Sequence, residues 1–92
     1  MRSKDRQSEI CIIGGAGHVG LPLALVFADR GINVTIQDLN EANLGLIEMG
    51  EIPHAERGAE PLLRKALELG RLQVTSTLEG TATSGAFIIT IG

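Results

Sequence analysis

The chain reads as an α/β fold, a doubly wound parallel sheet of which the first half is present, and three observations predict it. Short apolar runs alternate with longer segments of helical period along the 92 residues. The first run, Ile10 to Ile13, leads straight into glycines spaced Gly15-x-Gly17-x-x-Gly20, which open the first helical segment. The second run closes on an acid, Asp38.

Each element follows from its residues. Ile10-Cys11-Ile12-Ile13 is continuously apolar, as a central parallel strand covered on both faces requires. Val19 to Ala28 is almost wholly apolar and predicts a buried helix. Pro22 is tolerated in its first turn, where a missing N–H would lack a partner anyway, and Gly31 stops it. Ile32 to Gln37 alternates apolar and polar residues and predicts the second strand. Asn40 is the expected N-cap of a helix from Glu41 to Met49 that Gly50 ends. A loop over 51–58, marked by Pro53 and Gly58, precedes a third helix from Glu60 to Leu69. Leu62, Leu63, Ala66 and Leu67 form its apolar face, and Arg64, Lys65 and Glu68 its solvated one. Leu72 to Thr75 is the third strand. Gly80 to Gly85 is a poor helix former, so that crossover is expected to hold only a turn of helix around Leu78. Ala86 to Ile91 predicts a fourth, fully buried strand. Right-handed crossovers then give the spatial order 3-2-1-4, with Gly14 and Gly92 flanking a crevice between strands 1 and 4. The outer edge of strand 4 is unpaired in this segment, which predicts a homo-oligomer.

Composition excludes several functions. With 43% hydrophobic residues and a net charge of −3, the chain is expected to be one soluble domain, residues 10–92, behind a polar leader, residues 1–9. That leader lacks the apolar core of a signal peptide. No apolar run approaches the ~20 residues that span a bilayer, so no membrane role is expected. Basic residues do not cluster, and Phe27 and Phe87 are the only aromatics. A nucleic-acid partner is therefore not expected. The lone Cys11 makes no internal disulfide, which fits a cytoplasmic protein.

The glycine turn carries the chemistry. Gly15 allows a tight turn out of the strand, and Gly17 lets backbone approach a pyrophosphate with no side chain between. Gly20 lets the helix lie close to the sheet with its first amides toward the phosphates. An adenine dinucleotide is the implied ligand, in a Rossmann-type arrangement. Asp38 can accept hydrogen bonds from both adenosine ribose hydroxyls, which favours NAD. A 2′-phosphate there would meet like charge, and no arginine follows in Leu39-Asn40-Glu41. The residues alone leave a second reading of Asp38, as a residue that begins a turn and caps the next helix.

The run Ile13-Gly14-Gly15-Ala16-Gly17-His18-Val19-Gly20-Leu21-Pro22-Leu23 resembles the G-x-G-[YH]-[VI]-G-L-P signature of the UDP-glucose/GDP-mannose dehydrogenase family. The resemblance continues through Asp38, Gly50, Pro53, Glu56-Arg57-Gly58, Leu62-Leu63 and Gly70-Arg71-Leu72 to Gly92. It implies an NAD-dependent oxidation of the C6 alcohol of a UDP- or GDP-sugar to a carboxylate, with two NAD⁺ used in succession through a thioester, in polysaccharide biosynthesis. It also implies dinucleotide contacts from Gly15, Gly17, His18, Val19 and Gly20, with Asp38 on the ribose. The family's catalytic cysteine, lysine and asparagine or aspartate belong to later parts of its chain, so this segment is expected to bind cofactor without being catalytic itself. Asn43 stands where many members carry Lys or Arg, Arg57 replaces a usual proline, and Pro61 is unusual. Gly50-Glu51-Ile52 is closer to the UDP-N-acetylmannosamine branch.

Other candidates read more simply. Cys11, among isoleucines and with no basic neighbour, is a small buried hydrophobe rather than a nucleophile. His18 covers a ligand or faces solvent rather than acting as a base. His54 and Glu56 lack further metal ligands nearby, so no metal is expected. Two other functions share the glycine turn: a different NAD-dependent dehydrogenase, of 3-hydroxyacyl-CoA or 6-phosphogluconate type, and a non-catalytic nucleotide-sensing module.

Overall fold

The computed structural model describes residues 8–53, 58–79 and 85–90. Four strands and three helices follow one another as β1 (Ile10–Ile13), α1 (Gly20–Asp29), β2 (Val34–Gln37), α2 (Glu41–Glu48), α3 (Glu60–Glu68), β3 (Leu72–Thr75) and β4 (Ala86–Ile89). All strand pairs are parallel and the sheet order is β3-β2-β1-β4, as the sequence predicts. Ile12 stands beside Ile36 on one side and Ile88 on the other. Ser8 and Glu9 already join this body. The Glu9 amide donates to the Asn33 carbonyl at 2.8 Å, and the Asn33 amide donates to Glu9 Oε1 at 2.8 Å.

One core holds the layers together. α1 packs over β1 and β2 and against α3, while α2 and α3 both meet β3. Ile12, Val34 and Ile36 from the sheet meet Leu21, Ala24 and Leu25 of α1, Leu44 and Ile47 of α2, and Leu63 and Ala66 of α3. Burying a Leu or Ile side chain of this kind stabilises by roughly 1.5–3 kcal/mol. No described helix is long and apolar enough to cross a membrane.

Each helix closes in the same way. After α2, the Gly50 amide donates to the Ile47 carbonyl and the Glu51 amide to the Leu46 carbonyl, both at 2.9 Å, with Gly50 at φ +84°. This paired closure needs a left-handed residue just past the helix. Gly31 and Gly70 close α1 and α3 with equivalent pairs. Arginines add to two of these ends. Arg64 Nε donates to the Gly50 carbonyl at 3.1 Å, and an Arg71 nitrogen donates to the Ala28 carbonyl at 3.3 Å. Cations favour the negative end of a helix. At the other end of α2, the Asn40 side chain accepts from the Asn43 amide at 3.0 Å, so the expected N-cap is present.

The structure differs from the sequence expectations at four places. α1 buries one face only, and Val26 is half exposed despite the helix's apolar composition. The second strand starts at Val34 rather than Ile32, because the Ile32 amide is taken by the Phe27 carbonyl in the closure of α1. All four residues of β2 are buried, Thr35 and Gln37 included, because a central strand is covered on both faces. Gln37 satisfies its amide on the Ser76 carbonyl at 3.2 Å. Leu62 lies at the exposed margin of α3, and Arg64, though exposed, bonds to Gly50 instead of being purely solvated. β4 is the largest departure. Ala86, Phe87 and Ile89 are exposed, and among the described residues β4 pairs with β1 alone. The helical turn expected around Leu78 is described only in part: residues 76–78 bend and Glu79 lies in a 3₁₀ turn, while 80–84 fall outside the described residues, as do 54–57 of the loop with His54, Glu56 and Arg57, and Gly92.

Two stability measurements check this account. Gly31→Ala is expected to cost about 1 kcal/mol, because a Cβ there meets nothing within 4 Å and only the left-handed backbone resists it. Gly20→Ala is expected to cost more, about 2–3 kcal/mol, because its Cβ would sit 2.6 Å from the Gly15 Cα and 2.7 Å from the Gly14 carbonyl oxygen. Urea unfolding of both variants would give the two values, and equal costs would contradict the assigned close packing. Asn40→Ala is expected to lose about 1 kcal/mol in the same assay through its missing cap.

Candidate functional site: the glycine turn between β1 and α1

At the carboxyl end of β1 the backbone reverses into α1 within a few residues. Gly14, at φ +81°, makes the left-handed step. A Cβ on Gly14 would also strike the Thr90 carbonyl oxygen at 2.7 Å. The amides of Gly14 and Gly15 both donate to the Gln37 carbonyl, at 2.7 and 3.1 Å, which ties the turn to the end of β2. The Gly17 amide folds back onto the Gly14 carbonyl at 3.3 Å.

The three glycines of the motif serve different needs. Gly15 is not itself left-handed, so the tight-turn role expected of it belongs to Gly14. What Gly15 requires is space: its Cβ would lie 2.8 Å from the Ile12 carbonyl oxygen and 2.8 Å from Ile36 Cγ2. Gly20 is required because the start of α1 rests on the backbone of Gly14 and Gly15. Gly17 is different. A Cβ there would meet only the Gly14 carbonyl oxygen, at an ordinary 3.5 Å. Protein packing therefore does not demand glycine at 17, and the bare backbone faces open space.

That space is a cleft of about 360 Å³ lined by Gly14, Gly17, His18, Val19, Gly20, Asp38 and Thr90. The structure thus brings together five of the six residues singled out from the sequence. The sixth, Gly15, lies beneath the turn. A second hollow of about 210 Å³ shares Gly14, Asp38 and Thr90 with it and adds Leu39, whose side chain is 85% exposed beside Asp38. The N–H groups of Val19 and Gly20 have no protein acceptor among the described residues, and no side chain caps α1. Helix-start amides of this kind, with the positive end of the helix dipole behind them, suit an anion.

Asp38 sits across the cleft, and both of its oxygens are engaged. Oδ2 accepts from the Ala16 amide at 3.0 Å, and Oδ1 accepts from the Asn40 amide at 3.0 Å. The turn-forming reading of Asp38 is therefore realised, with Asn40 rather than Asp38 capping α2. A carboxylate has about four acceptor positions, so each oxygen keeps one for a further donor. The turn-forming and the donor-accepting readings are compatible.

Sequence reasoning missed Gly14 as the left-handed residue, and it missed Thr90. Thr90 Oγ1 lies 3.1 Å from the carbonyls of both Ile13 and Gly14, and its amide donates to the Ile13 carbonyl at 2.9 Å. The end of β4 is thereby bonded to the turn. Its one signal is that Thr90 is the sole polar residue in the run Ala86 to Ile91. Cys11 is fully buried in β1. Among the described residues no group of three or more acids, histidines and cysteines could hold a metal.

Comparison with known proteins agrees with this geometry. The sequence model of the UDP-glucose/GDP-mannose dehydrogenase family, NAD binding domain, matches residues 8–92. A UDP-glucose 6-dehydrogenase of Pseudomonas aeruginosa is 37% identical over 84 residues, covering 90% of this chain and 18% of that protein. A UDP-N-acetyl-D-mannosamine dehydrogenase of Campylobacter jejuni is 34% identical over 84 residues, covering 91% and 20%. Among solved structures, a GDP-mannose dehydrogenase of Pseudomonas aeruginosa superposes with a TM-score of 0.86 at 32% identity, covering 91% of this chain and 19% of that one. A UDP-N-acetyl-mannosamine dehydrogenase of Pyrococcus horikoshii gives 0.85 at 32% identity, covering 90% and 20%. The chain spans about a fifth of the length of these relatives. On its matched residues and on the architecture they form, the chain belongs to the UDP-glucose/GDP-mannose dehydrogenase family, as an NAD-binding domain.

Proposed function

We propose that this domain holds NAD⁺ in a nucleotide-sugar 6-dehydrogenase, which oxidises the C6 alcohol of a UDP- or GDP-sugar to a carboxylate with two NAD⁺. The observation that carries the reading is the open face at Gly17 beside the amides of Val19 and Gly20, which have no acceptor among the described residues. Those amides suit the diphosphate, with the backbone of His18 alongside. Gly15 and Gly20 keep the turn close enough to the sheet to present them. Across the cleft, the remaining acceptor positions of Asp38 suit the two adenosine ribose hydroxyls. When bound, NAD⁺ supplies the hydride acceptor. The part of this segment in the reaction is to bind and orient it, and none of its described residues is assigned to catalysis.

The relatives' names divide between UDP-glucose, UDP-N-acetylmannosamine and GDP-mannose, so the proposal is kept at the class of nucleotide sugars. A homo-oligomer in the cytoplasm completes the reading. The single cysteine, buried in β1, fits the cytoplasm.

Two titrations by calorimetry test the cofactor site. Asp38→Ala is expected to weaken NAD⁺ binding by about 1.5–3 kcal/mol, the usual cost of losing hydrogen bonds to a charged group, and to narrow the preference over NADP⁺. Equal affinity of the unmutated protein for both cofactors would refute the role of Asp38. Gly17→Val is expected to leave the unfolding midpoint nearly unchanged while reducing NAD⁺ affinity at least about tenfold, since one blocked diphosphate hydrogen bond alone approaches 1.4 kcal/mol. Unchanged binding in that variant would place the diphosphate elsewhere.

A further inference from the structure

Asp38 faces the cleft already tethered. Its Oδ2 holds the amide of Ala16, a residue only 1% exposed at the centre of the glycine turn, 22 positions away in sequence. Its Oδ1 holds the amide of Asn40, at the entry to α2. One carboxylate therefore links the β1–α1 turn to the β2–α2 turn. On the opposite side the turn has two further ties, the Gln37 carbonyl beneath Gly14 and Gly15 and the Thr90 hydroxyl at Ile13 and Gly14. Between Ala16 and the first turn of α1 lies the stretch Gly17-His18-Val19. The Gly17 amide donates to the Gly14 carbonyl at 3.3 Å, the Gly17 and Val19 carbonyls accept from the Leu21 and Leu23 amides at 3.1 and 3.4 Å, and the His18 and Val19 side chains are exposed. The Ala16 bond lies directly ahead of the amides that face the open cleft.

We infer that Asp38 is a positioning residue for the diphosphate-binding turn as well as a ribose acceptor, acting through the Ala16 amide. This rests on the cofactor reading above and deepens it. A charged acceptor makes a hydrogen bond roughly twice as strong as a neutral one. Holding the turn before the ligand arrives removes an ordering cost from binding. The same tether keeps the carboxylate from swinging aside, so a 2′-phosphate would meet a negative charge that cannot withdraw.

The inference separates from simple ribose recognition with an NAD⁺ analogue whose adenosine ribose lacks its 2′- and 3′-hydroxyls. Wild type, Asp38→Ala and Asp38→Asn are titrated with NAD⁺ and with the analogue in the intact protein. Hydrogen exchange of the segment carrying Ala16 is followed without ligand. The expected results are an analogue affinity about tenfold lower in Asp38→Ala, partial recovery in Asp38→Asn, which keeps one carbonyl acceptor, and exchange at Ala16 faster by about tenfold or more. The amides of β1 and β2 should stay as slow as in wild type, which a general loss of stability would not allow. Equal analogue affinity in wild type and Asp38→Ala, with exchange at Ala16 unmoved, would overturn the inference and leave Asp38 as a ribose contact alone. Wild type binding neither NAD⁺ nor the analogue would instead defeat the cofactor reading, and exchange at Ala16 would still decide the anchoring.

Discussion

The structure depends on how closely the first turn of α1 lies against the backbone leaving β1. At Gly20 the distance from an added Cβ to the Gly15 Cα would be 2.6 Å, so main chain rests directly on main chain. That contact sets the height of α1 above the sheet, and with it the burial of Leu21, Ala24 and Leu25 against Ile12 and Ile36. It also sets the direction of the first helical amides. A side chain at Gly20 would lift the helix, opening the core and withdrawing those amides from the cleft together, whereas one at Gly15 would strike the Ile12 carbonyl and Ile36 beneath the turn. Packing therefore demands glycine at 15 and 20 but not at 17, where an added Cβ would make only an ordinary contact.

The rest of the fold places three strand ends around that turn. β2 supplies the Gln37 carbonyl and, one residue on, Asp38; β4 supplies Thr90. Parallel strands deliver these groups to the same edge of the sheet, because every strand leaves the core in the same direction. The paired helix closures and the arginines at Gly50 and Ala28 keep the opposite connections short and satisfied. Unmet backbone carbonyls at helix ends cost free energy unless something bonds them.

Much of this was legible in the residues. The glycine spacing, Asp38 and the helix-stop glycines each answer a local backbone requirement, and local requirements leave a mark at fixed spacing. Asn40 was legible for the same reason, since a cap needs only its own next three residues. Burial was less legible. The alternation in Ile32 to Gln37 marked a strand but not its cover: Thr35 and Gln37 are buried, because cover on both sides comes from elements distant in sequence. In β4 the apolar run suggested full burial, whereas Phe87 and Ile89 are not covered by any of the described residues.

The residues by themselves determined the strand–turn–helix unit, the parallel order and the dinucleotide class of ligand. All three follow from short-range sterics, from handedness and from the charge of a single acid. Only the tertiary structure decided which glycine turns and which merely yields space, that Thr90 joins the site, and that Asp38 holds the turn it faces. Those facts rest on atoms brought within about 3 Å across 22 to 77 residues of chain. No periodicity or spacing along the sequence encodes a distance of that kind.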